Sequence, residues 1–168
     1  MVYVALLRGI NVGGKGLLPM KDLAALCEGA GLASVRTYIQ SGNVVFESRL
    51  AESKVKKLLE EALEKRMGKH VPVVVRTGEE LRRVLESNPF ADKEPAKVGI
   101  SFLDAAPPAD LLQKVVAPGG EQVRLGQREV FVFYPAGMGQ SKLKMPLDGP
   151  ATVRNANTVA KLVAMCEE

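Results

Sequence analysis

The stretch VRTYIQSGNVVFE, at residues 35–47, decides the fold of this chain. β-branched and aromatic side chains, which favour strands, are frequent in the two segments on either side of Ser41-Gly42. A serine–glycine pair between two such segments is typical of a tight β-hairpin. We therefore predict two antiparallel strands, at residues 35–40 and 43–47, joined directly by this turn.

The elements on both sides of this hairpin complete the order of a ferredoxin-like unit. Apolar runs suited to strands and amphipathic patterns suited to helices follow one another as β-α-β-β-α-β, which is the split βαβ arrangement. The predicted elements are a strand at residues 2–7, a helix from Pro19 to Gly29 or Gly31, the two hairpin strands, a helix at 51–67 and a strand at 71–76.

The second half of the sequence nearly repeats this order, without residue-level identity to the first half. We predict an α+β fold with two ferredoxin-like halves packed together as one compact unit, βαββαβ at residues 1–76 and a degenerate βαββα at residues 77–168. The elements predicted in the second half are a helix at residues 79–86, strands at 98–103, 122–125 and 130–134, a helix at about 108–116 and a closing helix from about Asn157.

Three predicted strands, at residues 2–7, 100–103 and 130–133, are apolar on both alternating faces. Strands of this composition are covered on both sides, whereas a lone ferredoxin-like sheet leaves one face open. The second half, or a partner subunit, is therefore expected to cover the other face. Such covering argues against an open RNA-binding sheet, which exposes aromatic side chains among charges.

Composition is typical of a soluble, cytoplasmic globular protein. The 168 residues are 46% hydrophobic and 25% charged, and no apolar run approaches the roughly 18 residues that span a bilayer. The N-terminus lacks the pattern of a signal peptide. Cys27 and Cys166 are expected to be reduced thiols, and one histidine with two cysteines does not make a familiar zinc site. We expect no metal and no membrane association, and the sequence identifies no cofactor.

The net charge of +4 is located in the two ends of the chain. Residues 51–110 carry 11 cations and 11 anions, whereas residues 1–50 carry 5 against 3 and residues 111–168 carry 7 against 5. The glycine-rich motifs lie in the same two ends. This distribution favours an anionic ligand, although a charge of this size does not by itself indicate nucleic acid.

The first motif is a glycine-rich loop, RGINVGGKG at residues 8–16, directly after the first strand. Glycines allow positive-φ turns and let several backbone N–H groups face one anion. The spacing of Gly9, Gly14 and Lys15 nearly matches the P-loop of NTPases. However, Gly16 replaces the hydroxyl residue that would hold magnesium, and the late helix start and the hairpin order also argue against an NTPase. The loop is better interpreted as one wall of a polar site.

This loop is expected to meet the hairpin turn at one end of the sheet. In a ferredoxin-like half the first strand lies antiparallel to the third, so its C-terminal end adjoins the start of the strand at residues 43–47. Arg8, Asn11 and the glycines would then cluster with Ser41 and Asn43. The alternative is that the turn is only a well-formed hairpin.

The second glycine-bearing loop is YPAGMGQSKL, at residues 134–143. Ser141 and Lys142 could contact an anion from this loop, because both carry hydrogen-bond donors. They could also act as a nucleophile and its base, although adjacent serine and lysine residues are frequent. The structural alternative is a plain surface loop.

The last motif, TVRNANT at residues 152–158, precedes the closing helix. Thr152, Asn155 or Asn157 could be the N-cap of that helix. One cap needs only one such residue, and Arg154 beside two asparagines at a helix start is also suited to binding an anion.

Four motifs, in order along the chain, are specific enough to indicate a family. They are LRGINVGG at residues 7–14, YIQSGNVVF at 38–46, Tyr134-Pro135 with Gly137, Gly139 and SKL at 141–143, and TVRNANTV at 152–159 with Lys161-Leu162. Together they resemble a bacterial family, the domain-of-unknown-function family 1697. One departure is Ala156, where the family pattern usually has tryptophan. The resemblance implies a cytosolic α+β protein with two ferredoxin-like halves, and it brings no established activity.

The leading hypothesis is a composite site, shared by both ends of the chain, for a phosphorylated or otherwise anionic small molecule. One alternative is a nucleic-acid-binding module that uses the same cations. Another is that the motifs are structural and bind no ligand. Neither a catalytic residue nor an oligomeric state follows from the sequence. The predicted ligand-binding residues are Arg8, Asn11, Gly13, Gly14, Lys15, Ser41, Asn43, Ser141, Lys142, Arg154, Asn155 and Asn157.

Overall fold

A computed structural model of the protein describes residues 1–11, 17–147, 149 and 151–168. Among these residues, no helix is both long enough and apolar enough to cross a bilayer. The predicted ligand-binding residues that lie outside the described stretches are Gly13, Gly14 and Lys15.

Two compact units make up the chain. The first contains Met1–Leu81 together with Leu162–Glu168, and the second contains Arg82–Lys161. The first unit is therefore discontinuous in sequence, because its last seven residues follow the whole of the second unit.

The first unit contains β1 (Val2–Leu7), α1 (Met20–Gly29), β2 (Ala33–Tyr38), β3 (Asn43–Glu47), α2 (Glu52–Met67) and β4 (Val73–Thr77). Its four strands form an antiparallel sheet in the order β2-β3-β1-β4. This is the topology of a ferredoxin-like unit, so the order predicted for the first half is confirmed.

The central strand β1 is buried on both faces from Tyr3 to Leu7. Alternate residues of this strand pack into the apolar core that the sheet shares with α1 and α2. Helix α2 presents residues four positions apart to this core, which is the spacing of one helix face. The core residues that the two helices contribute are Leu23, Cys27, Val55, Leu59 and Leu63.

A capping box begins α3 (Gly78–Glu86), the helix after β4. The Glu80 N–H donates to Thr77 Oγ1 at 3.1 Å, and the Thr77 N–H donates to Glu80 Oε1 at 3.1 Å. Both donors would otherwise lack a partner at the helix start, so the pair stabilises the passage from strand to helix. The boundary between the two units falls inside this helix, between Leu81 and Arg82.

The second unit contains β5 (Val98–Phe102), α4 (Leu111–Lys114), β6 (Gln122–Leu125), β7 (Glu129–Phe133), β8 (Thr152–Asn155) and the start of α5 (Ala156–Cys166), with 3₁₀ turns at Pro95–Lys97 and Met138–Gln140. Its antiparallel sheet has the order β6-β7-β5-β8, which repeats the order of the first sheet. The prediction of an α+β fold with two ferredoxin-like halves is therefore confirmed.

The helix predicted at about residues 108–116 is wrong in extent, since α4 covers only Leu111–Lys114. Residues 108–110, at the predicted start, are not helical. At the other end, Val116 pairs with Lys144 in an antiparallel bridge, and each N–H donates to the other carbonyl at 2.9 Å. This pairing replaces the last helical turn.

β8 is a fourth strand where the sequence predicts only the approach to the last helix. It pairs antiparallel with β5, and Phe102 lies opposite Thr152. Burial alternates along it, with Thr152 and Arg154 buried and the intervening residues half-buried. The strand runs directly into α5, and its threonine and asparagine are typical of a helix cap, so the sequence indicates a cap and not a strand.

Each sheet has a buried arginine in the strand at the end of its order, β4 in the first sheet and β8 in the second. Val4 of β1 lies opposite Arg76 of β4, and Ile100 of β5 lies opposite Arg154 of β8. Each guanidinium donates from Nη1 to the carbonyl of the preceding residue, at 3.1 Å for Arg76 and 3.0 Å for Arg154. The halves therefore correspond in register as well as in strand order.

The C-terminal part of α5 belongs to the first unit. Arg36 of β2 donates from Nη1 to the Met165 carbonyl at 2.6 Å, which satisfies a carbonyl at the helix end. Cys166 packs closely on Gly78, where an added Cβ would lie 3.0 Å from the Cys166 Cβ. These contacts attach the last helical turn to the edge strand β2 and to the start of α3.

Candidate functional site

The segment after β1 meets the turn between β2 and β3 at one end of the first sheet. The Leu7 N–H donates to the Gly42 carbonyl at 2.9 Å, and Asn11 Nδ2 donates to the Gln40 carbonyl at 2.8 Å. The turn is longer than the tight hairpin that the sequence predicts, because β2 ends at Tyr38 and residues 39–42 connect the strands. The two motifs thus come together in the first unit.

Gly42 allows this close approach. Its φ is +94°, a conformation that other residues rarely adopt. A Cβ at this position would lie 2.8 Å from Ile10 Cδ1 and 2.9 Å from Leu7 Cβ. Both backbone conformation and space therefore require glycine here.

Asn11 links the segment after β1 to Leu18. Its Oδ1 accepts from the Leu18 N–H at 2.7 Å, and its Nδ2 donates to the Leu18 carbonyl at 3.0 Å. The same Nδ2 donates to the Gln40 carbonyl, so both amide hydrogens are used within the chain. The Asn11 side chain therefore holds the end of the segment after β1 against Leu18 and Gln40.

Asn43 and Ser41 stabilise the turn through their side-chain hydrogen bonds. Asn43 is fully buried, and its Nδ2 donates to the Tyr38 carbonyl at 2.9 Å and to Ser41 Oγ at 3.1 Å. These bonds support the structural interpretation of this motif, since a buried amide must satisfy its donors. Both residues fix the backbone that faces Asn11.

Arg8 presents the positive charge of this region. Its side chain is exposed and forms no hydrogen bond or ion pair with any described residue. The N–H groups of Gly9, Ile10 and Asn11 likewise have no acceptor among the described residues. With Gly9 at φ +74° and Asn11 at φ +55°, a guanidinium and three successive amides follow the end of β1.

The topology separates this loop from a nucleotide-binding P-loop. β1 pairs antiparallel with both of its neighbours, whereas a P-loop follows a strand of a parallel sheet. In a P-loop the helix begins directly after the glycine-rich loop. Here α1 begins only at Met20, four residues after Gly16. The structure therefore supports the argument against an NTPase.

Ser141 in the second unit is bonded to a carboxylate. Its Oγ donates to Glu121 Oε2 at 2.8 Å and accepts from the Leu143 N–H at 3.1 Å. The Ser141 bond holds the pKa of Glu121 below its usual value. Lys142 is exposed, and no hydrogen bond joins it to Ser141 in the described part of the chain. This geometry favours a loop-fixing role for Ser141.

Arg154 and the two asparagines occupy three different environments. Arg154 is buried in β8, where desolvation lowers the pKa of its guanidinium to about 10. Asn155 Oδ1 accepts from the Thr158 N–H at 2.9 Å, which identifies Asn155 as the N-cap of α5. Asn157 is exposed on the first turn of the helix. Ala156, between them, is buried.

The predicted site residues are thus described as two groups, each within its own unit. The first group is Arg8, Asn11, Ser41 and Asn43, which lie in the segment after β1 and in the turn that Asn11 contacts. The second is Ser141, Lys142, Arg154, Asn155 and Asn157. A single composite site formed by both groups stays a prediction.

Several partners of these residues carry no sequence signal. Gln40 and Leu18 act through backbone carbonyl groups, which every residue possesses, and Glu121 lies 20 residues from Ser141. The positive φ of Asn11 does have a sequence signal, because asparagine tolerates this conformation better than most residues.

Metal and thiol chemistry receive no support from the described residues. These residues include no group of three or more His, Cys, Asp or Glu side chains placed to hold a metal ion. Both cysteines are free thiols. Burial raises the pKa of Cys27 to about 12, which keeps this thiol protonated and unreactive at neutral pH.

Comparisons with known proteins cover most of the sequence. A family model described as "Protein of unknown function (DUF1697)" matches residues 1–131. A solved structure, that of the conserved bacterial protein SP0830 from Streptococcus pneumoniae, is similar with a TM-score of 0.79 and 25% identity, over 98% of each chain. No curated protein matches the chain. The motif resemblance is therefore confirmed, and the chain belongs to the DUF1697 family of proteins of unknown function.

Proposed function

We propose that the segment following β1 binds the oxyanion of a phosphorylated or otherwise anionic small molecule. The observation that carries this proposal is the succession of an exposed Arg8 guanidinium and three backbone N–H groups, at Gly9, Ile10 and Asn11, that lack acceptors among the described residues. An oxyanion provides several acceptor lone pairs at once, so it matches this set of donors.

The neighbouring polar side chains support the site indirectly. Asn11, Ser41 and Asn43 hydrogen bond within the chain, so they are positioning residues that hold the donor backbone in place. Preorganised donors bind an anion more strongly than donors that must first be ordered. These side chains can therefore have a structural role while the neighbouring backbone N–H groups bind the ligand.

Titration of inorganic phosphate into isotope-labelled protein tests the proposal, with amide chemical shifts as the readout. The Gly9, Ile10 and Asn11 amide signals are expected to move together and to give one dissociation constant. Arg8→Gln is expected to weaken binding by about tenfold, because it removes a charged hydrogen-bond donor. Arg49→Gln is the matched control, since Arg49 is also an exposed arginine of the first unit.

Equal binding by the Arg8→Gln and Arg49→Gln variants would contradict the proposal, as would shifts confined to other regions. A short RNA added at low salt separates the nucleic-acid alternative. Binding of RNA that depends on Arg8 and falls steeply with salt, without any response to phosphate, would favour that alternative instead.

A further inference from the structure

Two large apolar side chains are exposed next to the proposed anion site. Leu17 is 63% exposed and Ile39 is 47% exposed. Their chain neighbours, Leu18 and Gln40, both offer their carbonyl groups to the same Asn11 Nδ2. Asn11 therefore brings the Leu17 segment and the Ile39 segment to one place, three residues after Arg8.

The conformation of Ile39 is unfavourable for its residue type. Its φ is +48°, a region in which a β-branched side chain is strained. Asparagine or glycine would suit this turn position, and the backbone bond from the Gly42 N–H to the Ile39 carbonyl, at 3.4 Å, needs no particular side chain. An isoleucine that is both strained and exposed gives no evident benefit to the fold.

We propose that Leu17 and Ile39 contact an apolar or aromatic group of the ligand whose anionic group binds beside Arg8. The inference rests on the function proposed above and narrows its ligand class. It selects phosphate esters with an aromatic or branched apolar portion, and it disfavours free phosphate and sugar phosphates, whose hydroxyl groups gain nothing from aliphatic side chains.

The expected preference follows from the apolar surface that such a ligand buries. Covering about 50–60 Å² of apolar surface strengthens binding by about tenfold. Phenyl phosphate is therefore expected to bind about tenfold more tightly than inorganic phosphate.

Calorimetric titration of phenyl phosphate, glucose 6-phosphate and inorganic phosphate tests this inference. The wild type is compared with the double variant Leu17→Ser/Ile39→Asn, in which asparagine also suits the positive φ. The double variant is expected to lose the preference for phenyl phosphate and to keep its affinity for inorganic phosphate. Leu112→Ser is the matched control, because Leu112 is 48% exposed in the second unit.

The outcomes separate this inference from the function on which it rests. Equal affinities for phenyl phosphate and inorganic phosphate, both weakened by Arg8→Gln, would overturn the apolar contact and keep the anion site. Phenyl phosphate binding that is unaffected by Arg8→Gln would overturn the anion site. A double variant that changes the oligomeric state but not the ligand preference would assign the two side chains to self-association, against the proposal.

Discussion

Asn11 and Gln40 are 29 residues apart in sequence, and the side-chain amide of Asn11 donates to the Gln40 carbonyl at 2.8 Å. This bond joins the glycine-rich loop to the β2–β3 turn. Because Asn11 also pairs with Leu18 through both its oxygen and its nitrogen, one side chain joins three segments of the first unit, which contain Asn11, Leu18 and Gln40.

Replacement of Asn11 by glycine is expected to lower the free energy of unfolding by about 1–3 kcal/mol. Glycine retains the positive φ of this position, so the loss reports the three side-chain hydrogen bonds and not backbone strain. Urea denaturation measures the change. Asn157→Ala is the control, because Asn157 is exposed on a helix and its replacement by alanine should change stability little. An Asn11→Gly variant as stable as wild type would contradict the positioning role.

Gly42→Ala is expected to destabilise the protein more than Gly31→Ala. Both glycines have nearly the same φ, +94° and +92°, so the strain of an added Cβ is similar at the two positions. Only Gly42 lacks space, because an added Cβ would meet Ile10 and Leu7, whereas nothing lies within 4 Å at Gly31. We expect a cost of about 1 kcal/mol at Gly31 and about 2–4 kcal/mol at Gly42 in thermal or urea denaturation. Equal costs would show that the contact between loop and turn is loose.

Thr152→Val is expected to leave stability unchanged or to raise it by up to about 1 kcal/mol. Thr152 Oγ1 is buried without a hydrogen-bond partner among the described residues, so removal of the hydroxyl ends a desolvation cost. Thr77→Val is the control, since Thr77 Oγ1 accepts from the Glu80 N–H, and its loss should cost about 1 kcal/mol. Marked destabilisation by Thr152→Val would indicate a partner for this hydroxyl.

The buried thiol of Cys27 is expected to make the free energy of unfolding fall as the pH becomes alkaline. Burial raises the pKa of its thiol from 9.0 to about 12, so the folded state holds this proton more tightly than the unfolded chain. The resulting stabilisation is fully present below about pH 9 and is lost as pH rises towards the folded value, by at most about 1.4 kcal/mol per pH unit. Urea denaturation under reducing conditions should therefore show a steeper decline above pH 9 for wild type than for Cys27→Val. Parallel declines would refute this assignment.

Hydrophobic patterning and turn residues predict much of this fold. β3 and β6 lie at the predicted residues, and the split βαβ order of the first unit follows from the strand at 2–7 and the hairpin. β8 is not predicted because it runs directly into α5, and its threonine and asparagine are typical of the cap of that helix. The early end of α4 depends on the pairing of Val116 with Lys144, which lies 28 positions along the chain.

The candidate site is only partly predictable for a related reason. Antiparallel pairing of β1 and β3 brings Arg8 and Asn11 towards the hairpin turn, and this consequence of topology can be inferred from sequence. The bonds of Asn11 to the carbonyls of Leu18 and Gln40 cannot, since backbone acceptors have no residue signature. The exposure of Leu17 and Ile39 cannot be predicted from the sequence either, because apolar residues are expected to be buried.

The discontinuity of the first unit has a consequence for biosynthesis. Arg36 lies in the edge strand β2, and it can donate to the Met165 carbonyl only after the entire second unit has been translated. When residues 1–81 have emerged from the ribosome, all the strands of the first sheet are available. The helical turn that packs beside Gly78 has not yet been made. Of these two units, the one whose translation starts earlier is completed later.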